Sequence, residues 1–303
     1  MQKLIIYVFL SFLVAKGKPY VLMVSFDGFR SDYAEWAETP NFDYVENNGS
    51  TAEGLIPVFP SLTFPNHYSI ATGAYAGTHN ITGNSFYDKK LKMKYSLYDK
   101  ESVRNPEFYK SEPIWVTAER QGLKTASYFW VGTEAPIKNV SPSIFKYYNG
   151  DIPFESRIDS IVAWFQLPED RRPQLSMLYF SDPDHTGHVY GIDTLKIVKS
   201  VEKMDALLGQ LLTKLKLLEI YPSLNIVISS DHGMANVSED RLIILDEYIS
   251  KMDELYINGS GALTQFDIKR NKNGYADLLY QELNSIPHSR VWKKNDIPKR
   301  FHF

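Results

Sequence analysis

The stretch YVLMVSF, residues Tyr20–Phe26, is a nearly unbroken apolar run that stops at the polar turn Asp27-Gly28. Strands with one face in water alternate apolar and polar residues, whereas strands buried on both faces do not. Three later stretches have the same character and also stop at polar or glycine-containing turns: TASYFW (Thr125–Trp130), LSMLYF (Leu175–Phe180) and NIVIS (Asn225–Ser229). Together these stretches predict a parallel sheet that is covered on both faces.

Segments with helical spacing of apolar residues separate these strands. A helix that begins at Asp193 or Thr194 would place on one face Leu195, Val198, Val201, Leu208, Leu211, Leu212 and Leu215. Pro113–Gln121, followed by Gly122 as a stop signal, and Ser156–Phe165 have the same pattern. The alternation predicts an α/β fold with a doubly wound, mostly parallel sheet and helices on both faces. Ligands of such folds bind beyond the carboxyl ends of the strands.

The composition indicates an ordinary globular chain of 303 residues with 44% hydrophobic side chains, enough for one or two domains. Its net charge of -3 and pI near 6.2 provide no basic field for a nucleic-acid polymer. The chain has no cysteine, so disulfides, a thiolate nucleophile and thiolate metal ligands are excluded. A metal site would have to use histidine and oxygen ligands.

Residues 1–17 have the form of a secretory signal peptide. Lys3 precedes the apolar run Leu4–Val14, and the small residues Ala15 and Gly17 fit a cleavage site. The alternatives are a first core strand or a membrane anchor, but the apolar run is too short to span a bilayer. We therefore expect export to the periplasm or the cell exterior, no stable membrane anchor after cleavage, and a folded domain over residues 18–303.

Candidate metal ligands follow three of the predicted strands. Asp27 follows the first strand, Asp184 and His188 follow the third, and Asp231 and His232 follow the fourth. Aspartate and histidine suit Zn²⁺, and two hydrolytic zinc ions need about six protein ligands in one cleft. The alternative is that these residues are solvated turn formers and hydrogen-bonded histidines.

Thr63 lies between two prolines in FPSLTFPNH, residues Phe59–His67. A threonine in a loop that enters a helix is usually an N-cap, which is the simple interpretation. Beside a metal, however, its hydroxyl can be activated as a nucleophile, and the helix N-terminus would favour an anion. The prolines would then hold Thr63 in line for attack on phosphorus.

These segments form part of an ordered set of motifs. The chain contains VSFDGFRSDY (Val24–Tyr33), FPSLTFPNH (Phe59–His67), GNSFYD (Gly83–Asp88), EPIW (Glu112–Trp115), YFW (Tyr128–Trp130), YNG (Tyr148–Gly150), DHTGH (Asp184–His188) and SSDHGM (Ser229–Met234). From about Lys18 to the last residue, the set resembles the ectonucleotide pyrophosphatase/phosphodiesterase family of the alkaline phosphatase superfamily. The resemblance implies a two-zinc phosphodiesterase catalytic domain that acts on a small-molecule nucleotide. It also implies a phosphothreonine intermediate and release of nucleoside 5′-monophosphates.

The resemblance also assigns roles to individual residues. One zinc ion would be held by Asp27, Thr63, Asp231 and His232, and the second by Asp184 and His188. Thr63 would be the nucleophile, and Asn84 would donate an amide N–H to a non-bridging phosphoryl oxygen. Phe64 and Tyr148 would stack on the nucleobase. For Asn84 the simple alternative is a turn residue, and for Phe64 it is core packing.

The sequence departs from the family pattern in two places. Proline is replaced by Val131 after Phe129-Trp130, which alters the expected pocket wall. The family's third ligand to the second zinc is a histidine in a His-Gly-Tyr context, beyond the segment that resembles Pro298–Phe303. The five histidines not assigned to zinc stand in no such context: His67, His79, His185, His288 and His302. We therefore expect a C-terminally incomplete domain that lacks its last strand and helix, and a second zinc with two protein ligands.

Two other functions remain open from the sequence. The same metal pair could hydrolyse phospholipid or choline phosphodiesters, or monoesters. The chain could also be a non-catalytic homologue that binds metal or nucleotide, which the absent third ligand favours. The oligomeric state is not encoded in any motif of the sequence.

Overall fold

A computed structural model describes residues 19–259, 261–270 and 274–303, so the predicted signal peptide lies outside the described residues. The strands are β1 (Tyr20–Phe26), β2 (Ser85–Asp88), β3 (Met93–Ser96), β4 (Thr125–Tyr128), β5 (Ile144–Lys146), β6 (Leu175–Phe180), β7 (Leu224–Ser229), β8 (Leu255–Asn258) and β9 (Gln265–Ile268). The α-helices are α1 (Tyr33–Trp36), α2 (Pro40–Asn48), α3 (Thr63–Thr72), α4 (Ala76–His79), α5 (Lys100–Arg104), α6 (Ile114–Arg120), α7 (Phe154–Phe165), α8 (Asp184–Tyr190), α9 (Leu195–Lys216) and α10 (Tyr275–Asn284).

The central sheet has five parallel strands in the order β5-β4-β6-β1-β7. The predicted α/β class and parallel sheet are therefore confirmed. β1 lies between β6 and β7, and Phe26 aligns with Phe180, so their carboxyl ends meet at one edge of the sheet. β4 was predicted too long: it stops at Tyr128, and Phe129 leaves the sheet with a φ of 72°. The three-residue strand β5 was missed because it is too short to show a pattern.

The two faces of β1 pack against different helices, which explains its continuous apolar sequence. Leu22 and Val24 are buried in a cluster with residues of α7 and α9. Val21 and Met23 pack in a second cluster with residues of α3 and α6. Each fully buried Leu or Val contributes about 1.5–3 kcal/mol. Helices therefore cover both faces of the sheet, as the sequence predicts.

The three predicted helices all form, with small differences at their first residues. α7 begins at Phe154 rather than Ser156, and α9 begins at Leu195. Thr194 is the N-cap of α9, but its hydroxyl donates to the carbonyl of Gly191 instead of capping the helix. Differences of one or two residues are ordinary at helix ends, because the terminal turns fray.

The smaller elements lie outside the central sheet. Two antiparallel pairs, β2–β3 and β8–β9, are joined by a stack of Tyr87 on Tyr256, whose ring centroids are 4.3 Å apart. α10 packs on the second pair in a separate apolar cluster. At the edge of the central sheet, Val227 of β7 is half exposed. Over the described residues, no helix combines the length and apolar character needed to cross a membrane.

Candidate metal centre and nucleophile

The parallel order of three adjacent strands brings the predicted ligands to one place. Asp27 directly follows β1, Asp184 begins α8 after β6, and Asp231 and His232 follow β7. The backbone N–H of Asp184 donates to the carbonyl of Asp27 at 3.0 Å. Gly28 has a φ of 65°, and its N–H donates to Asp231 Oδ1 at 3.1 Å. The turn after β1 therefore holds the chains after β6 and β7.

Gly28 is required at this turn by the close approach of another chain segment. A Cβ atom at position 28 would lie 2.8 Å from Cβ of Asp184. The positive φ would also be strained for any residue with a side chain. Glycine therefore allows the ends of β1 and β6 to approach each other closely.

His232 Nε2 faces three oxygen atoms. It lies 3.2 Å from Asp231 Oδ2, 3.5 Å from Asp27 Oδ1 and 3.2 Å from Thr63 Oγ1. The other ring nitrogen, Nδ1, donates to the carbonyl of Gly233 at 2.9 Å. In the neutral ring, this bond leaves the lone pair of Nε2 directed towards the oxygens. One histidine nitrogen, two carboxylates and one hydroxyl thus converge as ligands around a cation would.

The buried carboxylate oxygens at this site lack hydrogen-bond partners. Asp27 Oδ1, Asp184 Oδ1 and Asp231 Oδ2 are inaccessible to solvent and accept no aligned hydrogen bond from the described residues. Buried charge is costly unless it is paired or coordinates a metal. Asp27, Asp184 and His232 also place one ligand atom each within 4.8 Å of one another. The residues present therefore fit a divalent metal with oxygen and nitrogen ligands, such as Zn²⁺.

Burial and neighbouring charges perturb the pKa values of the three carboxyl groups at the site. Burial and the neighbouring carboxylates of Asp231 and Asp184 raise the pKa of Asp27 well above its ordinary value. Burial also raises the pKa of Asp184. For Asp231, burial acts in the same direction, but the nearby histidines His67 and His232 and the Gly28 N–H lower its pKa to about 2. A bound cation would favour the ionised form of all three carboxyl groups.

Thr63 is the first residue of α3, and Leu62 occupies the N-cap position. The interpretation of Thr63 as an ordinary N-cap is therefore wrong. Its hydroxyl instead contacts His232. The preceding loop is held by Asn66, whose amide donates to the carbonyls of Pro60 and Leu62 at 3.0 and 2.9 Å. The position of Thr63 thus results from hydrogen bonds within the loop as well as from the two prolines.

Asn84 lies beside the first turn of α3. Its Oδ1 accepts the backbone N–H of Phe64 at 2.9 Å. This bond fixes the amide orientation and leaves the two Nδ2 donors free of any bond to Phe64. The arrangement therefore orients an amide donor beside the residue that follows Thr63.

The candidate ligands of the second zinc are less enclosed. His188 Nε2 lies 3.4 Å from Asp184 Oδ1, one helical turn away on α8, and the His188 side chain is largely exposed. His302 stacks on Tyr75 with ring centroids 4.1 Å apart, so it is used in packing. Among the described residues, Asp184 and His188 are the predicted ligands of this second position.

The two predicted base-stacking residues have different surroundings. Phe64 is partly buried and packs edge-on against Tyr95. Tyr148 is half exposed, and its ring contacts Phe129 and lies near Tyr179. Tyr148 therefore presents an accessible ring, whereas Phe64 also serves the core. Val131, where the family has proline, is buried in the same cluster that Phe64 packs against.

Three residues around the candidate metal site were not predicted from the sequence. Tyr179 donates its hydroxyl to Asp27 Oδ2 at 2.6 Å. His67 lies between Thr63 and Asp231, and Ser25 contacts the far side of the His67 ring. The position of His67 four residues after Thr63 on a helix was a usable signal, because such residues lie on one face. Ser25 and Tyr179 have ordinary strand sequences and gave no signal.

Comparisons with known proteins agree with this geometry. A family model described as type I phosphodiesterase / nucleotide pyrophosphatase matches residues 21–303. Ectonucleotide pyrophosphatase/phosphodiesterase family member 1 of Homo sapiens is 40% identical over 295 residues, which cover 94% of this chain and 32% of that protein. A venom phosphodiesterase of Naja atra is 36% identical over 295 residues, covering 93% of this chain and 35% of that protein. The chain thus spans about a third of the length of these curated relatives.

Solved structures show the same relationship. An inactive form of murine ectonucleotide pyrophosphatase/phosphodiesterase 5, in complex with AMP, superposes with a TM-score of 0.88 at 32% identity. The match covers 94% of this chain and 75% of that one. The human protein of the same name also has a TM-score of 0.88, at 34% identity, with coverage of 93% and 74%. The chain belongs to the ectonucleotide pyrophosphatase/phosphodiesterase family of the alkaline phosphatase superfamily.

Proposed function

We propose that the protein is a zinc-dependent phosphodiesterase and nucleotide pyrophosphatase that hydrolyses nucleotide phosphodiester or pyrophosphate bonds. The observation that carries this proposal is the convergence of the Thr63 hydroxyl with His232 Nε2 and two buried carboxylates. A hydroxyl in that position is a candidate nucleophile, because an adjacent metal can activate it. The names of the related phosphodiesterases support the same reaction class.

Thr63 would attack phosphorus and form a phosphothreonine ester. The new bond joins Thr63 Oγ1 to phosphorus, while the bond from phosphorus to the leaving-group oxygen breaks. Water then attacks the phosphothreonine, regenerates the Thr63 hydroxyl and releases a nucleoside 5′-monophosphate. The Nδ2 donors of Asn84 would stabilise the charge that develops on a non-bridging oxygen. The hydrogen bond from Phe64 N–H holds that amide in place.

Asp27, Asp231, His232 and Thr63 would hold one zinc ion, and Asp184 and His188 would hold a second. When bound, zinc lowers the pKa of hydroxyl groups and water that coordinate it, and neutralises charge on phosphoryl oxygens. The orphaned buried oxygens of Asp27 and Asp184 support a metal at each position.

We propose that the substrate is a small nucleotide, with its base stacked against Tyr148 and Phe64. Stacking on an aromatic ring is worth about 1–3 kcal/mol per base and accepts several bases. The exposed ring of Tyr148 and the AMP bound to the related murine structure support this class. We further propose that residues 1–17 direct export, so that the enzyme acts on extracytoplasmic nucleotides; the similarity to a venom phosphodiesterase supports this location.

The test is Thr63→Ala, assayed with p-nitrophenyl thymidine 5′-monophosphate in zinc-containing buffer. Turnover should vanish, because the alanine side chain cannot form the ester, while binding of AMP should persist. Thr78→Ala is a matched control on α4 and should retain turnover. Equal turnover in Thr63→Ala and wild type would contradict the mechanism. If the folded wild type binds zinc and binds AMP but hydrolyses no substrate, the result would favour a non-catalytic homologue. Preference for a phosphocholine diester would favour the lipid alternative.

A further inference from the structure

We propose that His67 is a positioning residue that joins the nucleophile's helix to the metal-binding carboxylate of Asp231. This inference rests on the proposed metal site. His67 is fully buried, and its Nδ1 lies 2.9 Å from the carbonyl oxygen of Thr63 and 3.3 Å from Asp231 Oδ2. A single ring nitrogen therefore faces both the backbone of the nucleophile and a carboxylate that follows β7.

The bond to Thr63 determines the state of Nδ1. A carbonyl oxygen only accepts hydrogen bonds, so Nδ1 must carry a hydrogen and is not free to coordinate a metal. Asp231 Oδ2 lies 3.3 Å from the same nitrogen, as a charged neighbour rather than as an aligned hydrogen-bond acceptor. By distance alone His67 could share a cation with Asp27 and Asp231, because the three residues place one ligand atom each within 4.8 Å of one another. Because its Nδ1–H is bonded to the Thr63 carbonyl, His67 orients the candidate ligands and is not itself one of them.

The opposite side of the ring is held equally firmly. His67 Nε2 lies 2.8 Å from Oγ of Ser25, a fully buried residue of β1 that precedes Asp27 by two positions. The ring packs edge-on against Trp130 and Tyr179, with centroids 5.3 Å away in each case. Trp130 Nε1 also donates to the backbone carbonyl of His67 at 3.1 Å. These contacts leave the imidazole a single orientation.

The ring thus connects three segments that the active site needs in register. Ser25 belongs to β1, Thr63 begins α3, and Asp231 follows β7. Side chains that contact a ligating carboxylate from behind restrict its orientation, and the loss of such outer partners typically weakens metal binding about 10–100-fold. Loss of the bond to the Thr63 carbonyl would also loosen the first turn of α3. Both zinc affinity and the rate of attack are therefore expected to depend on His67.

The experiment compares His67→Leu, which fills the space without a donor, with His67→Asn, which can donate to the Thr63 carbonyl. Zinc affinity is measured on purified full chains by competition with a chromophoric chelator. His67→Leu should bind zinc about 10–100-fold more weakly, and His67→Asn should recover most of that loss. At saturating zinc, kcat of His67→Leu should fall about tenfold or more with little change in KM, because the misplaced group is the nucleophile.

A matched control is available in the same helical region. His79 is equally buried, but its nitrogens contact Ser69 Oγ and the Ile81 N–H rather than the metal centre. His79→Leu should lower Tm as His67→Leu does while leaving zinc affinity and kcat at wild-type values. If His67→Leu does not fold, Ser25→Ala tests the same connection, because it releases the far side of the ring and should weaken zinc binding.

Two outcomes would overturn the inference. In the first, His67→Leu lowers Tm but binds zinc with wild-type affinity and retains kcat, so the role is structural only. In the second, His67→Asn alters the visible absorption spectrum of the Co²⁺-substituted protein, which would make His67 a ligand. Both zinc and cobalt measurements are independent of turnover. A wild type that binds zinc but hydrolyses no diester would contradict the proposed function and leave this test intact.

Discussion

At the residue scale, the site depends on side chains whose orientation is set by partners remote in sequence. Asn84 is held by the backbone of Phe64, and Asp27 by the hydroxyl of Tyr179. Gly28 leaves room for Asp184. The residue types of the candidate ligands were evident from the sequence, whereas these contacts were not. Single substitutions can measure the effect of each contact on metal binding, catalysis and stability.

Gly28→Ala should impair the metal centre more than it impairs the fold. The new Cβ would lie 2.8 Å from Asp184 Cβ, so Asp184 must move. Gly73→Ala is the matched control, because its φ of 64° carries the same backbone strain but nothing lies within 4 Å of the new atom. Gly73→Ala should lose about 1–2 kcal/mol of stability from this strain, and Gly28→Ala should lose more, because the clash with Asp184 adds to it. Only Gly28→Ala should weaken zinc binding, by about tenfold or more; equal zinc affinity in the two variants would contradict this.

Asn84→Asp separates the two possible roles of Asn84. Aspartate keeps an oxygen that accepts the Phe64 N–H but removes the Nδ2 donors. If those donors stabilise the transition state, kcat should fall about 10²–10³-fold in both Asn84→Asp and Asn84→Ala. Steady-state kinetics with a nucleotide diester measures this. If Asn84→Asp retains wild-type kcat while Asn84→Ala loses it, the residue serves only to hold Phe64.

At the scale of secondary-structure elements, the α/β alternation positions the site. β6, β1 and β7 are adjacent and parallel, so the residues that follow them meet at one edge. α9 packs its apolar face on β1 and supports this arrangement from one side. The sequence predicted these elements well, because long periodic segments carry a strong signal. The three-residue strand β5 and the end of β4 were missed, since tertiary contacts decide such short elements.

Leu208→Ala should test the contribution of α9 to the fold. Leu208 is fully buried beneath the sheet, so truncation leaves a cavity and should cost about 2–5 kcal/mol. Leu195→Ala, on the same helix but 78% exposed, should change stability by less than about 0.5 kcal/mol. Urea unfolding followed by circular dichroism gives both values. A small loss for Leu208→Ala, comparable with that of the control, would argue against the packing of α9 on the sheet.

At the scale of the whole molecule, three carboxyl groups with buried oxygen atoms meet at one edge of the central sheet. Buried charge is costly for the fold unless it is paired or coordinates a metal. Metal binding would therefore stabilise the entire domain, because the ligands come from segments far apart in the chain. The candidate ligands follow β1, β6 and β7, so a bound metal would hold together three segments that are far apart in the sequence.

The zinc-induced rise in Tm should grow as the pH increases from about 5 to 8. Burial, followed by the charges of Asp231 and Asp184, raises the folded-state pKa of Asp27. This group therefore stabilises the metal-free fold at acidic pH, and that stability is lost as pH rises through the folded-state pKa. A bound cation favours the ionised carboxylate, so zinc adds most where the proton has left. The lowered pKa of Asp231, about 2, affects stability only at more acidic pH.

Differential scanning fluorimetry with saturating zinc or with EDTA measures this dependence. At 100 times the zinc Kd the gain is about 2.7 kcal/mol, or on the order of 5–10 °C for a domain of this size. Asp27→Asn should abolish most of the zinc-induced shift and flatten the pH dependence of the metal-free protein. A zinc shift that is larger at pH 5 than at pH 8 would contradict the prediction.

The sequence alone determined the fold class and the identities of the candidate ligands. Continuous apolar strands can only be buried on both faces, and parallel strands end at a common edge, so Asp27, Asp184 and Asp231 were expected to meet. Tertiary structure decided which atoms face one another: His232 Nε2 towards Thr63, Tyr179 towards Asp27, and His67 between Thr63 and Asp231. These contacts join residues that are far apart in the sequence and that the sheet brings together. A local sequence pattern cannot predict the distances between such residues.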